Sequence, residues 1–208
     1  MSVSDAYTTI VEGFSFINEI ISEANEKFSS DGEKKKKDFI IESAFLKMFI
    51  FWETFVEDSF LCYLTDKTDG IENKPITYAK ANDDRHAATM IIGQGNFVNW
   101  SNHEAILKMS KAFFKDGVPF HDSFRSIQNT LSDLRRIRNN TAHVSSSTKI
   151  EFIRVVTRTF NGSHKYDDIS VADFLMKEHP EDKSKTILQV YQDSLLAVAH
   201  IVSTCEGV

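Results

Sequence analysis

A chain of 208 residues with 41% hydrophobic and 26% charged residues is long enough for one sizeable core and has the balance of an ordinary globular protein. Its formal net charge of −6 excludes a globally basic nucleic-acid binder, so a polyanion would have to meet a local basic patch. Two cysteines, Cys62 and Cys205, stand far from any metal-ligand spacing and imply no disulfide framework, while 17 phenylalanines point to an aromatic core.

The start, MSVSDAYTT, has neither a basic nor a short apolar segment, so no signal peptide is expected. Residues 3–28 predict an amphipathic helix capped by Ser2 or Ser4. Val3, Tyr7, Ile10, Phe14, Ile17, Ile21 and Ala24 recur there at three- and four-residue steps. The following SSDGEKKKK reads as a solvated turn with a lysine run. From Asp38 to about Asp66 a long helix is expected, apolar on most of its circumference through Phe39, Ile41, Phe45, Met48, Phe49, Trp52, Phe55, Val56, Phe60 and Tyr63. Its most apolar run, Ala44 to Trp52, is interrupted by Lys47 and too short to span a bilayer. Cys62 lies in this helix and reads as a core thiol, whereas Cys205 is expected near a mobile terminus.

Residues 67–101 look irregular, with a short helix from Asp83 to Ile92. Asn102 is placed to cap a helix through Phe114, which Gly117-Val118-Pro119 would end. Residues 120–143 predict one strong helix with Phe124, Ile127, Leu131, Leu134 and Ile137 on a stripe. The segment 149–160, KIEFIRVVTRTF, fits either a strand or a helix and closes on the Asn161-Gly162 turn. A short helix near 170–177 and a last one from about Lys185 to Thr204 complete an all-α chain. It is read as a single helical domain over 1–208 and placed in the cytoplasm.

Three motifs fail on inspection. Gly93-Gln94-Gly95 is followed by Val98 where a dinucleotide loop needs its third glycine. His103-Glu104 begins a zinc-protease motif, but Leu107 stands where the second histidine belongs. The acidic residues show no metal-binding spacing, so neither a metal nor another cofactor is implied.

The run from Leu134 to His143, LRRIRNNTAH, is different. At 100° per residue, Arg138 falls within the stripe of Ile127, Leu131 and Leu134, where a guanidinium costs several kcal/mol unless it is paired or faces a polar cleft. His143 lies about 140° around from it, so one straight helix does not bring the two together. They converge if the helix ends near Ala142, or if a second copy supplies the complementary half.

An Arg-Asn pair followed by a small residue and a His at the end of a helix resembles the signature of the HEPN superfamily of RNases. Here it is Arg138-Asn139 and Ala142-His143, and the aromatic run Phe51-Trp52-Glu53-Thr54-Phe55-Val56-Glu57-Asp58 is similar to a core helix of its toxin-type and defence-associated groups, the RiboL-PSP or MAE-like HEPN proteins. The resemblance implies a helical dimer in which two such motifs face one cleft, and a metal-independent endoribonuclease acting as a toxin or phage-defence effector. A cognate antitoxin or inhibitor protein would then be a partner. Its catalytic residues would be Arg138, His143 and Asn139. Histidine titrates near neutrality and can move the 2′-OH proton, while arginine offers a forked, permanently charged donor to phosphate oxygens. Glu53 or Glu57 would orient Arg138.

Arg135, Arg136, Arg138, Lys149, Arg154 and Arg158 lie between Leu134 and Phe160 against Glu151 alone. Arg135, Arg136, Lys149 and Arg154 are the expected phosphate contacts. Two rival pairings remain: Arg136 also precedes His143, with six residues between, and Arg158 with His164 fits the spacing but straddles the Asn161-Gly162 turn. The competing functional reading is a catalytically silent HEPN dimer serving as a binding or scaffold module. In that case Arg138 and His143 are a helix C-terminal cation pair favoured by the helix dipole.

Overall fold

The computed structural model describes residues 1–68, 70–93, 97–162 and 168–206, apart from the side chain of Asp31. The chain is all-α. Among the described residues the β structure amounts to two isolated bridges, Thr77 with Phe114 and Glu178 with Thr186.

Helix α1 (Val3–Lys27) begins where Ser2 and Asp5 cap each other: the Asp5 N–H donates to Ser2 Oγ at 3.2 Å and the Ser2 N–H to Asp5 Oδ2 at 2.8 Å. Ser2, not Ser4, is therefore the cap. Helix α2 (Lys34–Leu64) starts four residues before the expected Asp38, because the lysine run is its first turn rather than a solvated loop. Lysine is a good helix former, and Lys34 is held by Asp38 at 3.1 Å and by Asp173 at 2.7 Å. Phe39 departs from its expected apolar face and is 71% exposed.

Next come α3 (Asp84–Ile92), capped by Asp83 on the His86 N–H, and α4 (His103–Phe113). Gly117 follows at φ 78, where a Cβ would sit 2.6 Å from that of His121, so this turn requires glycine. The helix expected over 120–143 is two helices, α5 (Phe120–Ser126) and α6 (Gln128–Ala142), because Ile127 leaves helical geometry at φ −112, ψ 21. The ambiguous segment is helical. In α7 (Ser146–Thr159) a reciprocal capping box of Ser145 and Thr148 starts the helix, and Phe152, Val155 and Val156 are buried at three- and four-residue steps. Asn161 and Gly162 turn the chain with φ of 52 and 82. Helices α8 (Val171–Leu175) and α9 (Ile187–Thr204) complete the order.

The contacts group into two compact units. The first comprises residues 1–12, 51–128 and 195–208, the second residues 13–50 and 129–194. The first is built on aromatic rings. Phe60, fully buried, lies 4.9 Å from Phe114, 4.8 Å from Phe120 and 5.8 Å from Trp100 between ring centroids, and Trp52 lies 5.3 Å from Phe124. Cys62 is buried as expected, and burial pushes its thiol up to about 11. Cys205 is not at a loose end: it is buried, with its sulfur 3.2 Å from the Tyr63 hydroxyl, which donates to the Val202 carbonyl. The second unit buries Phe14, Ile17, Ile41, Phe45, Leu134, Ile137, Val155 and Phe174. Phe152 and Phe174 meet edge to face at 5.6 Å. Among the described residues no helix is long and apolar enough to cross a membrane.

Candidate active site

The candidate site lies in the second unit, where α6 ends and α7 begins. The buried positions of α6 are Leu131, Asp133, Leu134, Ile137 and Asn140. Ile137 is near the middle of this face, and Arg138 stands about 100° around from it, half-buried at the margin. Helix α6 begins at Gln128, so Ile127 lies outside its stripe, but Arg138 still projects between Leu131 and Leu134, near the Leu131 edge of the buried face.

Within this unit Arg138 Nη1 donates a long hydrogen bond, 3.4 Å, to Oδ1 of the half-buried Asn139. Helix α6 ends at Ala142. The His143 N–H still donates to the Asn139 carbonyl at 2.9 Å, and the His143 carbonyl accepts from Thr148 Oγ1 at 2.7 Å. These backbone bonds tie His143 to both the end of α6 and the start of α7 while its side chain faces solvent. No hydrogen bond or ion pair joins Arg138 to His143 among the described residues. One chain presents the two groups without linking them.

The basic patch is more balanced than residues 134–160 suggest. Asp133, one residue outside that window, is buried and ion-paired to Arg158, with Arg136 at 3.8 Å. Glu151 engages Arg136 at 3.2 Å and also pairs with Arg154. Lys149 faces Asp168 at 3.9 Å. Within the unit, among the described residues, no ion pair engages Arg135 or Arg138. Of the rival pairings, Arg136 is held by these carboxylates, and His164 lies outside the described residues, as do Gln94 and Gly95 of the rejected glycine motif.

Glu53 and Glu57 are half-buried on α2 in the first unit. Burial pushes the Glu57 carboxyl up, and a hydrogen bond with the Trp100 side chain pulls it back. Among the described residues no group of three or more His, Cys, Asp or Glu side chains is disposed to hold a metal ion.

Asp133 and Asn140 are the site's unforeseen polar groups. Asp133 Oδ1 and Asn140 Oδ1 are buried with no hydrogen-bond partner among the described residues. The three-residue step from Asp133 to Arg136 is legible in sequence. The Arg158 partner, 25 residues away, is not. Burial pushes the Asp133 carboxyl up, and Arg158 and then Arg136 pull it back only in part. The folded chain therefore holds this proton to a higher pH than the unfolded chain, and the group subtracts stability as pH rises through that window. Asp133→Asn removes the charge and keeps an oxygen for Arg158, so its urea-unfolding free energy at pH 7 should match or exceed that of wild type, within about 1 kcal/mol. A loss above about 2 kcal/mol would show that the ion pair outweighs its desolvation. Asp133→Ala, which strands Arg158, should be the worse variant.

No family model, curated protein or solved structure matches the chain.

Proposed function

We propose that this protein is a metal-independent endoribonuclease of the HEPN kind, cytoplasmic and dimeric, acting as a toxin or antiviral effector. The observation that supports it most is the Arg138-Asn139 pair on the last turns of α6 with His143 just past the helix end, carried by an all-α chain. In this reading Arg138 stabilises charge on the phosphorus centre, His143 moves the proton of the RNA 2′-OH, and Asn139 holds the guanidinium through its side-chain oxygen. Arg135 and Arg136, beside them on α6, meet flanking phosphates. Because one chain does not link Arg138 to His143, a second copy contributes the facing motif.

The test is growth of a bacterial host expressing each protein. Wild type should arrest growth and His143→Ala should not, and purified wild type should keep cutting RNA in excess EDTA. Equal growth with both proteins overturns the reading, and activity lost to chelation and restored by Mg²⁺ overturns its metal independence. Sedimentation at micromolar concentration should give a dimer. A species at 23.7 kDa alone would remove the second motif from the site.

The silent-scaffold alternative draws support from the carboxylates that occupy Arg136, Arg154 and Arg158. It expects Arg138→Ala and His143→Ala to leave every phenotype unchanged.

A further inference from the structure

Helices α6 and α7 bring three arginines onto two carboxylates, and the two carboxylates are not alike. The Asp133 side chain is only 9% exposed and is ion-paired to Arg158. The Glu151 side chain is 36% exposed, and its two oxygens serve two helices. Oε2 lies 3.2 Å from Arg136 Nε on α6, and Oε1 accepts from Arg154 Nη1 on α7. The side chains of Arg136 and Arg154 are themselves 39% and 65% exposed.

Burial decides which of the two anions can be displaced. Pulling Asp133 away would strand a charge in the interior, which is costly, so this carboxylate stays. An exposed ion pair contributes little and is screened by salt, and Glu151 can swing its side chain into water. What would replace it must resemble it. Two forked donors from different helices converge on one anionic centre with two oxygens, and a phosphodiester offers the same pair of charged oxygens on one phosphorus. Arg135 and Arg138, which meet no ion pair within the unit among the described residues, continue the row of cations along α6. Such a row suits a strand with a charge at every nucleotide better than a single carboxylate.

We propose that Arg136 and Arg154 form one subsite for a backbone phosphate of RNA, and that Glu151 fills it as an internal anion until the phosphate displaces it. The choice of RNA rests on the nuclease reading above, but the subsite takes no part in moving the 2′-OH proton. The carboxylates that balance these cations in the free protein are then of two kinds: Asp133 is structural, and Glu151 holds the place of the substrate.

The test is fluorescence anisotropy of the full chain with a labelled single-stranded RNA, in a His143→Ala background so that the strand stays whole. Glu151→Gln should tighten binding at least about threefold at low salt. It should also steepen the salt dependence by about 1, because binding no longer releases a carboxylate that recaptures a cation. Asp84→Asn, which makes the same change in net charge and frees Lys67 in the first unit, should leave the affinity within about 1.5-fold. In a chain that also carries Arg136→Gln and Arg154→Gln, the gain from Glu151→Gln should vanish. Circular dichroism and melting should confirm that each variant is folded. Equal binding by Glu151→Gln and its parent overturns the proposal, as does a gain that Asp84→Asn reproduces or that survives loss of both arginines. RNA binding by neither chain overturns it too. If Glu151→Gln tightens binding while wild type cuts no RNA, the subsite stands and the nuclease reading falls. If wild type cuts RNA and Glu151→Gln gains nothing, the reverse holds.

Discussion

An RNA carrying a single 2′-deoxynucleotide at the scissile position should resist cleavage while binding nearly as well as the all-ribose strand. In the proposed reaction the 2′-oxygen attacks the adjacent phosphorus, its proton passes to His143, and the P–O5′ bond breaks as the leaving oxygen takes up a proton. The products are a 2′,3′-cyclic phosphate and a 5′-hydroxyl. Removing the 2′-oxygen removes the nucleophile and leaves the phosphates, hence the binding, in place. Arg138→Ala should slow cleavage by about 10² or more, the scale for losing one transition-state donor. Arg136→Ala should chiefly weaken binding and lower its salt slope by about 1, since it removes one phosphate contact. Normal cutting of the deoxy strand, or 5′-phosphate ends in mass spectra, would assign the nucleophile elsewhere.

Phe60→Ala should cost about 3–5 kcal/mol, the range for emptying a buried phenylalanine site. Phe60 is fully buried, and the rings of Trp100, Phe113, Phe114 and Phe120 lie within 6.0 Å of it, so the void has little small side-chain volume around it to collapse inward. The edge-to-face contact with Phe114 at 4.9 Å adds an aromatic contribution of about 0.5–1.5 kcal/mol beyond burial. A chain of this length loses roughly 2–4 °C of melting temperature per kcal/mol, so the midpoint should fall by about 6–20 °C. Phe39→Ala is the control: at 71% exposure its stability should change by no more than about 0.5 kcal/mol. A Phe60→Ala loss below about 1 kcal/mol would mean that the aromatic cluster repacks freely.

Helix identity was legible in the sequence wherever one side of an element is buried throughout. The recurrence of Ile10, Phe14, Ile17 and Ile21 in α1 is a direct imprint of a dry face on a 3.6-residue period. The start of α2 was not legible, because four lysines read equally as a solvated loop and as an exposed helical turn. The contact between Lys34 and Asp173, far apart in sequence, helps hold that turn. The break at Ile127 was hidden for a related reason: hydrophobic spacing continues across it, so periodicity alone sees one helix where the backbone makes two.

At the candidate site, the residue types and the spacing from Arg138 to His143 belong to the sequence, and so does the chemistry they permit. How much of the positive charge stays free is a tertiary matter. Asp133 meets Arg158 across α6 and α7, and Glu151 reaches both Arg136 on α6 and Arg154 on its own helix. A count along the chain weights every charge alike, whereas a charge acts through distance and burial. Periodicity settles which residues can share a face. Only the packing of α6 against α7 decides which cations meet a carboxylate and which, like Arg135 and Arg138, meet none within their unit.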